Sequence, residues 1–166
     1  MSRSLKSTKR FPEMALACKV SIHCPVDILT ARQKGRELAM KMGFTASDVT
    51  VIASAISEIA SNIVDFAQQG EMRLEHVSQG PKAGIQIVAR DEGPGISNIP
   101  QAMQYGYSSR SGLGYGLPGA KWFMDEFNIV SKPGKGTTVT MKKWLNRDGG
   151  NDRPGGNAQP RVSPRT

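Results

Sequence analysis

Residues 45–70 read TASDVTVIASAISEIASNIVDFAQQG. At 100° per residue, Ile52, Ile56, Ile59, Ala60, Ile63 and Phe66 fall on one continuous arc, the pattern of an amphipathic helix laid against a sheet. Thr45 and Ser47 both suit the N-cap, and Gly70 suits the position just past the end. Ser54, Glu58, Ser61, Asn62 and Asp65 gather on the opposite side. Glu58 and Asn62 stand four residues apart, so their side chains project into one small volume. On the helix alone, that polar side reads as a solvated outer face.

Working outward, the periodicity changes several times. Upstream, Ala15, Ala17, Val20 and Ile22 suggest a first strand whose phase is blurred by Cys18 and Lys19. Pro25 and Asp27 then open a helical stretch, Val26–Met42, with Gly43 just beyond it. Downstream, Met72–Ser78 and Gly84–Ala89 alternate on either side of a GPK turn, which predicts a hairpin. A short helical stretch follows near Ile99–Tyr105. A helix is expected over Leu117–Met124, with Pro118 tolerable in its first turn. Phe127–Val130 and Thr137–Trp144 form a second hairpin around KPGKG. This order is too rich in hairpins for a doubly wound parallel sheet. It predicts an α/β fold, a two-layer sandwich with a mixed sheet and helices on one face.

The chain has 166 residues and a formal net charge of +8. That length predicts one folded domain, placed at 13–145. Residues 1–12 are a basic N-terminal segment expected to be flexible. The tail 146–166 is dense in Gly, Pro and Asn and cannot bury enough surface to offset its ordering entropy, so disorder is expected there. Six of the eight net positive charges lie in residues 1–10 and 146–166. The domain between them is nearly balanced and lacks interleaved basic and aromatic residues, which argues against nucleic acid as a partner. No run of eighteen apolar residues suggests a membrane span, and no apolar stretch of signal-peptide length follows the basic start. A cytoplasmic location without membrane association is expected. Cys18 and Cys24 are too far apart for a CxxC pair and read as reduced thiols. His23 and His76 have no metal-binding spacing.

Three separated elements carry chemistry. The first is Glu58 with Asn62. The second is Asp91, Gly93 and Gly95 in DEGPG at the end of a strand, where glycines permit close approach. The third is Gly112, Gly114 and Gly116, leading into a helix at Leu117. A glycine-rich turn running into a helix N-terminus presents backbone N–H groups and a positive dipole end to an anion, so phosphate is its natural ligand. The loop lacks the Lys-Thr pair of a P-loop and does not follow a first strand as a dinucleotide fingerprint would.

Taken together and in this order, the three elements resemble the GHKL ATPases and kinases with the Bergerat ATP-binding fold, over roughly Ala15 to Trp144. Within that family, DEGPGI, YSSRSGLGYGLPGAK, MDEF and GKGTTVTMKKW resemble the RsbT-type switch kinases of bacterial stress signalling. The resemblance implies Glu58 as general base and Asn62 as the Mg²⁺ ligand. It implies Asp91 as acceptor for the adenine amino group, and Gly93 and Gly95 as residues that let the nucleotide pack close. Gly112, Gly114, Gly116 and Leu117 would close over the phosphates of ATP, and Thr138 would help hold the adenine. Residues 104–113 would form a mobile lid. Arg110 and Lys121 read as solvated charges. Two residues depart from the family's habit: Asp65, where relatives carry a basic or aromatic residue, and Tyr115, where leucine is commoner.

The resemblance further implies a serine/threonine kinase that uses Mg-ATP to phosphorylate a STAS-domain antagonist of RsbS or RsbR type. Once released from that partner, it would activate a PP2C-type phosphatase. The alternatives are an RsbW-type anti-sigma factor and a non-catalytic ATP-gated binding module. Homodimer formation is left open.

Overall fold

The computed structural model describes residues 17–104 and 115–146, which form ten elements. In chain order these are β1 (Ala17–Ile22), α1 (Pro25–Met42), α2 (Ala46–Asn62), a π-helical turn (Ile63–Ala67), β2 (Gly70–Gln79) and β3 (Lys82–Asp91). They are followed by α3 (Ile99–Ala102), α4 (Gly116–Phe123), β4 (Glu126–Ser131) and β5 (Thr137–Trp144). The expectations for residues 1–12, for the tail beyond Asn146 and for nearly all of the lid fall outside the described residues.

Local chemistry sets the helix ends. Pro25 occupies the first turn of α1, where its missing N–H costs nothing. The Asp27 carboxylate accepts the backbone N–H groups of His23 (2.8 Å) and Cys24 (3.1 Å), which hold its carboxyl below the ordinary aspartate value. At α2 the choice between two caps resolves to Thr45, whose Oγ1 accepts the Asp48 N–H at 3.1 Å. The C-terminal end departs from expectation. The α-helix passes into the π turn at Ile63, and Gln68, with φ 66°, terminates it rather than Gly70, which opens β2.

The sheet order is β1-β2-β3-β5-β4, and every pairing is antiparallel. The expected mixed sheet is therefore corrected to an antiparallel one. Two helices, an even number, separate β1 from β2, so the chain returns running the opposite way. β3 and β4 do run in the same direction across the α4 crossover, but β5 is inserted between them and pairs antiparallel with both.

One sheet face carries Val20, Ile22, Met72, Leu74, Ile85, Ile87, Val139 and Met141, all buried against the helices. Fully burying such a side chain contributes about 1.5–3 kcal/mol. The other face is polar, with Arg73, Gln86, Arg90, Thr140 and Lys142 exposed or half-buried. Lys19–Glu71 and Lys142–Glu126 pair across the strands of that open face. Pairs this exposed contribute little to stability. α2 with its π turn is long and apolar enough to cross a membrane by length and composition alone. Its apolar stripe is spent on this core, with Ile52 and Ile56 fully buried.

Candidate active site

A cavity of about 440 Å³ opens where α2 ends, between the π turn, the ends of β3 and β5, the loop after β3 and the start of α4. Its floor is Ala89, Asp91, Thr137 and Val139 from two adjacent strands. Asn62, Ile63, Phe66 and Ala67 form one wall, and Gly95 and Leu117 close other sides.

Asp91 closes β3, and its Oδ1 accepts two backbone N–H groups, Gly93 at 2.9 Å and Thr137 at 3.2 Å. Two donors on one oxygen fix the orientation of the carboxylate at the cavity floor. The hydroxyl expected at Thr138 is displaced by one residue. Thr138 pairs with Arg90 on the open face of the sheet, whereas Thr137 pairs with Asp91 and lines the cavity. Successive strand residues point to opposite faces, so the neighbouring threonine reaches the site. The signal was present in TTVTM: Val139 and Met141 are the apolar residues, and Thr137 shares their parity.

Gly93 and Gly95 also have a structural reason to lack side chains. A Cβ on Gly93 would lie 2.6 Å from the Ala67 Cβ, and one on Gly95 would strike the Lys132 carbonyl oxygen. Gly95 also has φ 72°, a conformation that suits glycine. These positions bring chain against chain, Gly93 onto the π turn and Gly95 onto the β4–β5 turn. Only Gly95 also lines the cavity. Ser131 secures the same junction. Its Oγ accepts the Ile96 N–H at 2.8 Å and lies 2.9 Å from both the Gly136 carbonyl oxygen and Thr137 Oγ1.

Glu58 overturns the solvated-face reading. It is 2% exposed, and neighbouring Ser61 is 4% exposed, because α4 packs over that side of α2. Glu58 Oε2 accepts the Gly116 N–H at 2.8 Å, so the carboxylate sits at the N-terminal end of α4. Negative charge there is favoured by the helix dipole, and the charge-assisted bond offsets part of the cost of burial. Glu58 does not line the cavity; Asn62, one turn further on, does. The two residues thus face adjoining spaces, Asn62 the cavity and Glu58 the helix end that follows the glycine-rich loop.

Phe66 was expected in the core stripe but is 46% exposed at the cavity wall. A π turn needs about one more residue per turn than an α-helix, so each residue advances less than 100°. Phe66 therefore lags out of the core stripe toward the side that carries Asn62. Periodicity at 100° cannot anticipate this. Asp65 lies half-buried in the same turn. Tyr115 stands half-exposed over Gly119, edge-on to Phe123 with ring centroids 6.0 Å apart. Lys121 is exposed, as expected. Gly112, Gly114 and Arg110 lie outside the described residues.

The Asn62 amide offers a hard neutral oxygen donor beside a largely apolar cavity with a carboxylate at its floor. Such a donor suits a Mg²⁺ ion that takes the rest of its shell from phosphate oxygens and water.

Comparison with known proteins places the chain in a family. The serine/threonine-protein kinase RsbT of Bacillus subtilis (strain 168) is 46% identical over 119 residues, covering 72% of this chain and 90% of that protein. The anti-sigma F factor of Thermoanaerobacter sp. (strain X514) is 32% identical over 124 residues, covering 71% and 85% respectively. The crystal structure of the RsbU and RsbW domains of Rv1364c from Mycobacterium tuberculosis shares the fold, with a TM-score of 0.52 at 21% identity. That match covers 76% of this chain and about a third, 32%, of the other. The family model described as histidine kinase-like ATPase domain matches residues 25–143, and this chain belongs to that family.

Proposed function

We propose that this chain is an ATP-dependent protein serine/threonine kinase of a partner-switching circuit, acting on a STAS-domain antagonist in the cytoplasm. One observation carries the reading. α2 brings Asn62 to a cavity floored by Asp91 and places Glu58, one turn earlier, beneath the α4 N-terminus.

In this reading the adenine enters the cavity with its amino group toward Asp91, and the apolar side chains around it exclude water. The phosphates extend past Asn62 toward α4. Bound Mg²⁺, held by the Asn62 amide oxygen, would neutralise charge on the phosphate oxygens. Glu58 accepts the proton of the attacking serine or threonine hydroxyl and orients that oxygen in line with the bond that breaks. Phosphoryl transfer depends mainly on such positioning and charge neutralisation. A positioned base typically contributes about 10²–10⁴-fold. Phosphorylation of the antagonist then releases the kinase, which is free to bind and activate a PP2C-type phosphatase.

The test uses the purified full chain, Mg-ATP labelled on the γ-phosphate, and a STAS protein encoded beside it. Transfer to that protein is expected, with Glu58→Ala retaining partner binding but transferring nothing. No transfer by the wild type, or transfer by the variant at the wild-type rate, refutes the kinase assignment.

The 32% identity to an anti-sigma factor favours one second reading, a kinase that also sequesters a sigma factor. Affinity capture from the source cell separates the two: recovery of a sigma factor selects the second, recovery of a phosphatase the first.

A further inference from the structure

We propose that Ser131 is a positioning residue that sets base selectivity, by fixing the direction in which the Thr137 hydroxyl donates. The inference rests on the adenine-nucleotide reading of the cavity and adds to it the origin of selectivity.

The hydroxyl protons at this junction can be counted. A serine hydroxyl carries one hydrogen and two lone pairs. The Ile96 N–H, 2.8 Å from Ser131 Oγ, can only donate to it. The Gly136 carbonyl oxygen, 2.9 Å away, can only accept, so the single Ser131 proton is committed there. Thr137 Oγ1 is the third neighbour, also at 2.9 Å, and by geometry alone either oxygen could donate. Ser131 has no second proton to give. Thr137 must therefore be the donor, and what remains on its oxygen is lone pairs.

Thr137 lines the cavity beside Asp91, the carboxylate whose Oδ1 takes the Thr137 and Gly93 N–H groups. Both polar side chains at the floor are thus hydrogen-bond acceptors. A purine with an amino group at position 6 supplies the N–H donors that they require. A 6-oxo purine would turn its carbonyl oxygen toward these two acceptors where the amino group stands, an acceptor-against-acceptor contact that its neighbouring N1–H does not relieve at position 6 itself. Ser131 does not itself line the cavity and acts through Thr137.

The experiment measures equilibrium binding of Mg-ATP and of its 6-oxo counterpart, Mg-inosine triphosphate, to the full chain. Wild type is expected to prefer ATP. In Ser131→Ala the Thr137 hydroxyl regains its freedom and can donate to the 6-oxo group, so the preference ratio falls by about fivefold, the worth of one typical net hydrogen bond. Ser131→Thr restores the ratio. Thr137→Val removes the acceptor itself and lowers the ratio similarly, which keeps the test decisive if Ser131→Ala does not fold. A Ser131 with only a structural role would weaken both nucleotides equally. An unchanged ratio in Ser131→Ala or in Thr137→Val overturns the inference. Failure of the wild type to bind either nucleotide would overturn the adenine-nucleotide reading beneath it.

Discussion

Glu58 is the residue whose substitution separates architecture from chemistry. It is buried, and its Oε2 accepts the Gly116 N–H at 2.8 Å, tying α2 to the first residue of α4. Glu58→Ala leaves that N–H without its acceptor, a loss of about 1–3 kcal/mol for an unsatisfied buried donor. Removing a negative charge from a helix N-terminus in a partly buried setting adds up to about 2 kcal/mol. Together these place the cost near 2–4 kcal/mol, or roughly 6–15 °C of melting temperature for a domain of this size. Glu58→Gln keeps the shape and one carbonyl acceptor, so its cost should stay near 1 kcal/mol. In the general-base role proposed for it, however, the carboxylate has no substitute in either variant, and phosphoryl transfer should fall at least about 100-fold in both. Thermal melting followed by circular dichroism reads the first effect, and single-turnover transfer from labelled ATP reads the second. Near-wild-type transfer by Glu58→Gln would refute the base assignment. A melting temperature for Glu58→Ala equal to that of the wild type would refute the claim that the Gly116 contact holds α4.

Three further outcomes follow from the same geometry. Asp91→Asn can keep both backbone N–H groups on its remaining oxygen, so melting should shift by only a few degrees. ATP affinity, measured calorimetrically, should fall by about 10²-fold or more, because in the proposed placement of adenine an amide N–H₂ would then oppose the adenine amino group. Gly93→Ala places a Cβ 2.6 Å from that of Ala67, and overpacking of this kind costs about 1–3 kcal/mol, visible as a lower denaturation midpoint in urea. The Asp27 carboxyl is lowered by the backbone N–H groups of His23 and then Cys24, so its contribution is present above the ordinary aspartate pKa and lost as pH falls through the lower folded-state value. Protection of the His23 and Cys24 amides relative to their intrinsic exchange rates should therefore fall in that acidic window, and Asp27→Asn should remove that fall.

Much of the fold was legible because its information is local. The stripe Ile52, Ile56, Ile59 and Ile63 specifies a helix whatever surrounds it, and the alternation in β2, β3 and β5 specifies strands. The spacing of Glu58 and Asn62, Asp91 in DEGPG and the run Gly112, Gly114 and Gly116 are likewise legible in the sequence, and together they carry the resemblance that implied a nucleotide site. What failed was whatever depends on a partner far along the chain. Glu58 reads as solvated until Gly116, fifty-eight residues later, is laid against it.

The remaining differences combine local and distant causes. Phe66 leaves the core stripe because a π turn changes the angular step, and the turn seats Ala67 directly against Gly93. Thr137 rather than Thr138 shares the inward parity of Val139 and Met141, which TTVTM shows, and the pairing of β5 with β3 then sets it opposite Asp91. The missing side chains of Gly93 and Gly95 also make room for the protein's own chain, and Gly95 lines the cavity as well. The sequence by itself determined the elements and the chemical types present. Only the tertiary structure decided which of those groups are buried and which face the same cavity, because both depend on contacts between segments that local periodicity does not encode.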